Sequence, residues 1–287
     1  MSLVTGHEST NGVMPAGAGG APVLVEARQT TRRVARTFAL ACRLLPREVR
    51  DDVYLLYLVF RTLDDLVDDG IPGAAAHVAA VAAWAAGEDG PRTREVAVLE
   101  DLATRHPIPR DALADFCAGM RHDLDRRPLQ TEADVDVYCF QVAGTVGVVM
   151  AAILGSDDLE VARPAAAALG MAMQRTNILR DIDEDLAAGR VYLAQETVAR
   201  FGGSLAPGRR EGLMRDQIER ADRLYDRGCA GIPLLSHGRR AVAAAGGMYR
   251  EILRQIEREG YGASSGRVVV PRPRKLLIAA RRGVLSR

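Results

Sequence analysis

Two acidic runs constrain this chain more than any other feature. Asp64-Asp65-Leu66-Val67-Asp68-Asp69 and Asp181-Ile182-Asp183-Glu184-Asp185 lie on segments with helical spacing, closed by Gly70 and Pro72 after the first and by Gly189 after the second. That punctuation predicts the last turns of two helices. Carboxylates in a last turn oppose the helix dipole, at a cost of roughly 0.3–1 kcal/mol each. A fold that keeps both runs must bring positive charge to them.

The rest of the chain reads as helix too. Hydrophobic residues make up 48% of it and aromatics only 5%, and Ala and Leu, which lose little on entering a helix, are abundant. Periodicity predicts helices at about 25–43, 47–69, 73–86, 92–104, 110–125, 132–153, 158–187, 208–230, 237–260 and 273–283. Pro and Gly mark the joints. No alternating strand pattern and no internal repeat is found, and the one β-like run is Val268-Val269-Val270 before Pro271. Residues 1–21 are rich in Gly, Ser, Thr and Ala without a period and are expected to form a disordered lead-in. Residues 22–287 are expected to form one all-α domain with a substantial core.

Bulk properties remove several function classes. Thirty-eight Lys and Arg against thirty-seven Asp and Glu leave a net charge of +1, so no nucleic-acid partner is expected. Cys42, Cys117, Cys139 and Cys229 form no CxxC pair and read as small buried residues in a reducing compartment. The five histidines show no HxxxH spacing. No run approaches the roughly 18–20 uninterrupted apolar residues of a membrane span, and no signal peptide is evident. A cytoplasmic protein is expected; the sequence does not set its oligomeric state.

The acidic runs have partners on their own helices. Tyr57, Arg61, Asp64 and Asp68 are spaced four, three and four, which puts them within about 60° of one another on a helix. Leu55, Leu56, Leu58, Val59, Phe60 and Leu63 surround that stripe. Gln174, Asn177, Asp181 and Asp185 repeat the arrangement within about 80°, with Arg180 beside them and Arg190 and Tyr192 just beyond. Two like charges ~4 Å apart repel by about 4 kcal/mol at an effective dielectric of 20. Facing clusters would therefore need divalent cations. Oxygen ligands completed by water and phosphate suit Mg²⁺, and arginines suit a diphosphate. Taken singly, each cluster also reads as a solvated helix face. Between them lies Tyr138-Cys139-Phe140-Gln141-Val142-Ala143-Gly144-Thr145-Val146-Gly147. Glycines three apart inside a helix permit either close helix packing or room for a long apolar ligand.

These segments together resemble the phytoene/squalene synthase family, the head-to-head trans-isoprenyl diphosphate synthases, from about Thr30 to Leu277. The likeness takes in Arg36-Thr37-Phe38, Tyr57 through Asp69, Tyr138 through Gly147, Gln174 through Asp185, and Gly189-Arg190-Val191-Tyr192-Leu193. Tyr249-Arg250-Glu251 and Arg267 to Pro271 with Arg274-Lys275-Leu276 look like the family's closing segment. The resemblance implies an isoprenoid synthase bundle around a central cavity. It makes Asp64, Asp68, Asp181 and Asp185 magnesium ligands, supported by Asn177. It assigns diphosphate contacts to Arg61, Arg180, Arg190, Tyr192 and Arg267, with Thr37 supplying a hydroxyl. Phe38, Tyr57, Tyr138, Val142 and Gln174 would line the prenyl cavity, with Tyr249 near the site.

The implied reaction joins two allylic diphosphates through a cyclopropyl diphosphate intermediate. Two geranylgeranyl diphosphates giving phytoene is the first expectation. Squalene or dehydrosqualene from farnesyl diphosphate is the alternative, NADPH being needed only for squalene. A terpene cyclase on the same fold is another. The sequence departs from the family where His-Ser-Lys-Ser is usual and Val34-Ala35-Arg36-Thr37 stands, and Ala194 replaces a frequent Pro. Leu40 and Cys42 occupy positions where relatives sometimes carry aromatics, which bears on cavity depth. The basic tail of Arg272, Arg274, Lys275, Arg281, Arg282 and Arg287 fits either an anionic membrane surface or an ordinary solvated helix.

Overall fold

The computed structural model describes residues 20–285. The lead-in expected over 1–21 therefore lies almost wholly outside the described residues. The elements are α1 (Ala21–Val34), α2 (Arg36–Cys42), α3 (Arg47–Asp68), α4 (Ala74–Ala86), α5 (Arg94–Ala103), α6 (Arg110–Asp125) and α7 (Glu132–Cys139). After a π turn at Phe140–Gly144 come α8 (Thr145–Leu154), α9 (Leu159–Arg180), α10 (Ile182–Ala187), α11 (Gln195–Arg200) and α12 (Glu211–Ala230). A 3-10 turn at Ile232–Leu234 leads to α13 (Arg239–Arg258) and α14 (Arg272–Leu285). No strand occurs among the described residues; one antiparallel bridge joins Ser156 to Leu235.

Among the described residues the bundle has two large apolar centres and a small third one around Ala41, Ala244 and Met248. One large centre gathers α3 with α4, α5, α6 and α8 around Leu56, Leu63, Leu99 and Leu113. The other gathers α9, α12 and α13 around Leu179, Ile218, Tyr225 and Leu253. The central cavity lies where they meet. Local chemistry starts the helices that bear the site. Asp158 accepts from the Val161 N–H at 3.2 Å and caps α9, while Thr131 and Asp134 form a reciprocal capping box on α7.

Both acidic helices stop as the glycines predict. Gly70 has φ +61° and Gly189 φ +72°, and each forms a Schellman cap. Ile71 N–H donates to Leu66 O at 3.0 Å, and Arg190 N–H to Asp185 O at 2.8 Å. The second of these caps has a functional result: it fixes the direction in which Arg190 leaves the helix.

Three of the predicted helices are interrupted and one short helix was not predicted. The predicted helix 25–43 breaks at Ala35 (φ −119°, ψ 58°), where no local breaker stands; packing of α1 on α3 and α2 on α13 sets the bend. The predicted helix 158–187 breaks at Asp181 (φ −104°, ψ 10°). The second acidic run is therefore not a single last turn: Asp181 occupies the joint, and Asp183, Glu184 and Asp185 open α10. Adjacent side chains on a helix diverge by about 100°, and the ion pair between neighbours Arg180 and Asp181 accompanies the departure from helical backbone. The π turn interrupts the predicted helix 132–153, and α11 was not anticipated.

The stretch Glu132–Leu154 is long and apolar enough to cross a bilayer by length and mean composition, although polar residues interrupt it, as the absence of an uninterrupted apolar run predicts. In the bundle it is a core element. A Cβ on Gly147 would collide with the Ala166 carbonyl, and one on Gly170 with the Ala143 carbonyl. Close packing of α8 on α9 thus accounts for the glycines, and Gly147 and Gly170 also line the cavity.

Candidate active site

The long α3 carries Tyr57, Arg61, Asp64 and Asp68 down one face toward the cavity mouth. Arg61 Nη1 donates to Asp64 Oδ2 at 3.0 Å, and its other terminal nitrogen pairs with Asp65. Across the mouth, Arg180 Nε donates to Asp181 Oδ1 at 2.8 Å. Arg267, on the segment before α14, stands 3.2 Å from the same oxygen and 3.1 Å from Glu184. Arg190 joins the walls: Nη1 donates to Asp68 Oδ1 at 2.6 Å and Nη2 to the Asp68 carbonyl at 2.9 Å. The compensating charge demanded by the acidic runs is therefore present as arginine.

It does not suffice. Asp64 is pushed up to about 6 by desolvation and then by the Asp68 charge, against the pull of Arg61. Asp185 is pushed up to about 6 by desolvation and by Asp181, against Arg190. A cleft that holds carboxylates this way favours added cations. A second sign lies in the hydrogen bonding of Asn177. Asn177 Nδ2 donates to Gln174 Oε1 at 3.2 Å, but Asn177 Oδ1 is buried without a donor. A buried acceptor without a partner is costly, and an amide oxygen one turn before Asp181 suits a hard cation such as Mg²⁺. Among the described residues no three His, Cys, Asp or Glu side chains converge enough to hold a metal unaided. The carboxylates stand instead as two separated walls, an arrangement that water and phosphate oxygens complete.

Beneath the mouth lies an apolar cavity of about 310 Å³. Phe38, Tyr57, Val142 and Tyr249 line it, as do the small residues Ala35, Cys42, Ala162, Ala166, Gly170 and Gly231. The Phe38 and Tyr57 rings meet at 5.1 Å. Tyr249 lies close enough to Tyr57 and Arg180 to perturb both.

Tyr138 and Gln174 are not among the residues lining that cavity. The Tyr138 ring stacks on Tyr192 at 5.2 Å, and its hydroxyl donates to Asp123 Oδ2 at 3.2 Å. Asp183 ties the closing segment down, accepting from buried Arg210 at 2.6 and 2.8 Å and from the Gly266 N–H at 2.9 Å.

Two residues at the site were missed. Asp123, near the end of α6, is pushed up to about 7 by desolvation, with Asp68 and Asp64 adding to it despite the Tyr138 hydroxyl. It is a third acidic group at a helix end, and that signal was available. Lys275 donates to Thr37 Oγ1 at 3.2 Å; partial burial and the nearby Arg180 and Arg267 lower its pKa. Lys275, Thr37, Arg180 and Arg267 thus make a cationic corner above the cavity.

Comparison with known proteins places these features. The family model for squalene/phytoene synthases matches residues 31–274. The 15-cis-phytoene synthase of Synechococcus elongatus is 36% identical, covering 88% of this chain and 89% of its own. The phytoene synthase of Thermus thermophilus is 39% identical over 80% of this chain and 82% of its own. A crystal structure of a dehydrosqualene synthase in complex with ligand superposes with a TM-score of 0.83 at 26% identity, covering 92% of this chain and 96% of that one.

Proposed function

The chain belongs to the squalene/phytoene synthase family and is a prenyltransferase, and from that premise we propose that it joins two geranylgeranyl diphosphates head to head into phytoene. The observation that carries this reading is the bridge from Arg190 to Asp68, because it draws two acidic walls together over one apolar cavity. The small residues lining that cavity favour a longer prenyl chain.

In this reading Asp64 and Asp68 on one wall, and Asn177, Asp181 and Asp185 on the other, hold magnesium. The metal, when bound, neutralises charge on the departing diphosphate. Arg61, Arg180, Arg190, Arg267 and Tyr192, with Thr37 and Lys275, grip and orient the diphosphate oxygens. Three of those arginines pair with Asp64, Asp68 and Asp181, so the donors are held beside the carboxylates they would work with. The apolar cavity keeps water from the allylic cation. The electron-rich faces of Phe38 and Tyr57 stabilise it. Tyr138 and Tyr192, stacked beside Asp123, wall the mouth. Residues 22–287 act as one isoprenoid synthase domain. No reductant is needed for phytoene, whereas a squalene product would require NADPH.

The basic α14 extends the proposal to the membrane, where an apolar product partitions. Arg272 and Arg281 are exposed beside Leu276 and Leu277, while Arg274 is bound to Glu251 at 2.6 Å and Lys275 to Thr37. The side chains of Arg282 and Arg287 lie outside the described residues. Peripheral contact predicts co-sedimentation with anionic liposomes that weakens with salt; retention insensitive to salt, or none, contradicts it.

Stoichiometry tests the coupling reaction. Geranylgeranyl diphosphate with Mg²⁺ should release two diphosphates for each hydrocarbon formed. One diphosphate per hydrocarbon would identify a cyclase instead.

A further inference from the structure

Outside the acidic cleft, positive charge concentrates where α1, the α2–α3 joint and α3 meet. Arg28, Arg32, Arg43, Arg50 and Tyr54 line a recess of about 300 Å³ there. Arg28 and Arg32 are one turn apart on α1, and Arg50 and Tyr54 one turn apart on α3, so each helix presents two side chains on one face. Arg28 is neutralised: Asp51 accepts from its Nη2 at 2.6 and 2.7 Å. Arg50 is not, since it donates to the Leu45 carbonyl at 3.1 Å through Nε and a carbonyl carries no charge. Arg32 and Arg43 are exposed and pair with no carboxylate among the described residues. Four guanidiniums thus share one acid.

Tyr54 completes the recess. It is 5% exposed, and Arg28, Arg32 and Arg50 all lie within electrostatic reach of its hydroxyl. The recess is separate from the prenyl cavity but shares a wall with it. Cys42 and Val53 line the apolar side, while their sequence neighbours Arg43 and Tyr54 line the charged side.

We propose that this recess binds a phosphate-class anion, a diphosphate or phosphomonoester, independently of magnesium and apart from the acidic cleft. Guanidinium forks match phosphate oxygens in charge and geometry, and the Tyr54 hydroxyl adds a donor. No uncommitted carboxylate lines the recess to recruit a metal. Two sources offer the required chemistry: free diphosphate, and the phosphomonoester headgroup of a lipid.

Calorimetric titration of the full chain with inorganic diphosphate in EDTA tests the free form. Vesicles of phosphatidylcholine with or without phosphatidic acid test the headgroup by co-sedimentation. Saturable binding in at least one arm is expected, weakened about tenfold or more in Arg32→Gln/Arg43→Gln as two charge-assisted contacts are lost. Tyr54→Phe should weaken it less. Magnesium-dependent turnover and melting temperature of the double variant should match the wild type, because both arginines are exposed. Binding of diphosphate without vesicle retention identifies the free anion; retention that needs both phosphatidic acid and the two arginines identifies the headgroup. Binding in neither arm, or binding unchanged in the double variant, overturns the proposal. So does binding lost in Arg180→Gln alone, which would put the anion in the cleft.

Discussion

Arg190 reaches back from the cap of α10 to place its guanidinium 2.6 Å from the Asp68 carboxylate on α3, 122 positions earlier in the chain. The contact crosses the cleft mouth and makes one site of two acidic walls. Removing it should show in catalysis more than in stability, because the pair is partly exposed and such pairs stabilise little. Arg190→Ala should lower kcat/KM by about 10²–10³, the usual cost of losing one donor to developing charge, with Tm nearly unchanged. Arg190→Lys should recover part of the loss. Steady-state kinetics beside thermal melts would check both.

Asn177 offers a readout independent of turnover. Its Oδ1 is buried without a donor, so Asn177→Leu removes an unsatisfied acceptor and should leave the metal-free protein as stable, or more stable by up to about 1–3 kcal/mol. The same change should weaken Mg²⁺ stabilisation in the presence of diphosphate. Melting curves with and without the two ligands measure it.

The raised carboxylates give a pH dependence with a definite sign. Asp64 and Asp185 lie near 6 in the folded protein, above their ordinary unfolded range. Between that range and about pH 6 the folded state holds protons that the unfolded chain has lost. Raising pH through this window therefore lowers the stability of the metal-free protein. Mg²⁺ needs the ionised forms, so its contribution to Tm should be small at pH 5 and grow to a plateau above pH 7. Thermal shift against pH, with and without Mg²⁺ and diphosphate, would reveal a flat difference if these groups do not hold the metal.

Cavity depth should respond to Cys42. Its side chain is buried, 1% exposed, and lines the apolar cavity. Cys42→Phe fills part of that volume and should move preference from the C20 toward the C15 substrate, read as the ratio of kcat/KM values. A packing test accompanies it. Gly170→Ala places a Cβ against the Ala143 carbonyl and should destabilise by about 1–3 kcal/mol, visible as a lower Tm.

What could be read from the sequence was what neighbours in the chain decide. Gly70 and Gly189 marked helix ends correctly because a Schellman cap involves only a few consecutive residues. The stripe Tyr57, Arg61, Asp64, Asp68 was legible because α3 is uninterrupted. Tyr138 was placed in the cavity with Val142 by the family resemblance, which carries no backbone geometry. The π turn at Phe140–Gly144 carries an extra residue and shifts the helical phase, so Tyr138 faces Asp123 and Tyr192 instead. The bends at Ala35 and Asp181 follow from tertiary packing and from arginine pairing, including Arg267 from 86 positions later (267 minus 181). Lys275 joins the site through Thr37, on the first helices of the chain. Contacts of that span leave no local mark.

The most direct test is product analysis by mass after incubation with Mg²⁺ and, separately, geranylgeranyl and farnesyl diphosphates. A linear C40 hydrocarbon from the C20 substrate, without NADPH, is predicted, and it should vanish in Asp64→Ala and in Asp181→Ala. A C30 product from farnesyl diphosphate alone, or a cyclic C15 or C20 product, would contradict it.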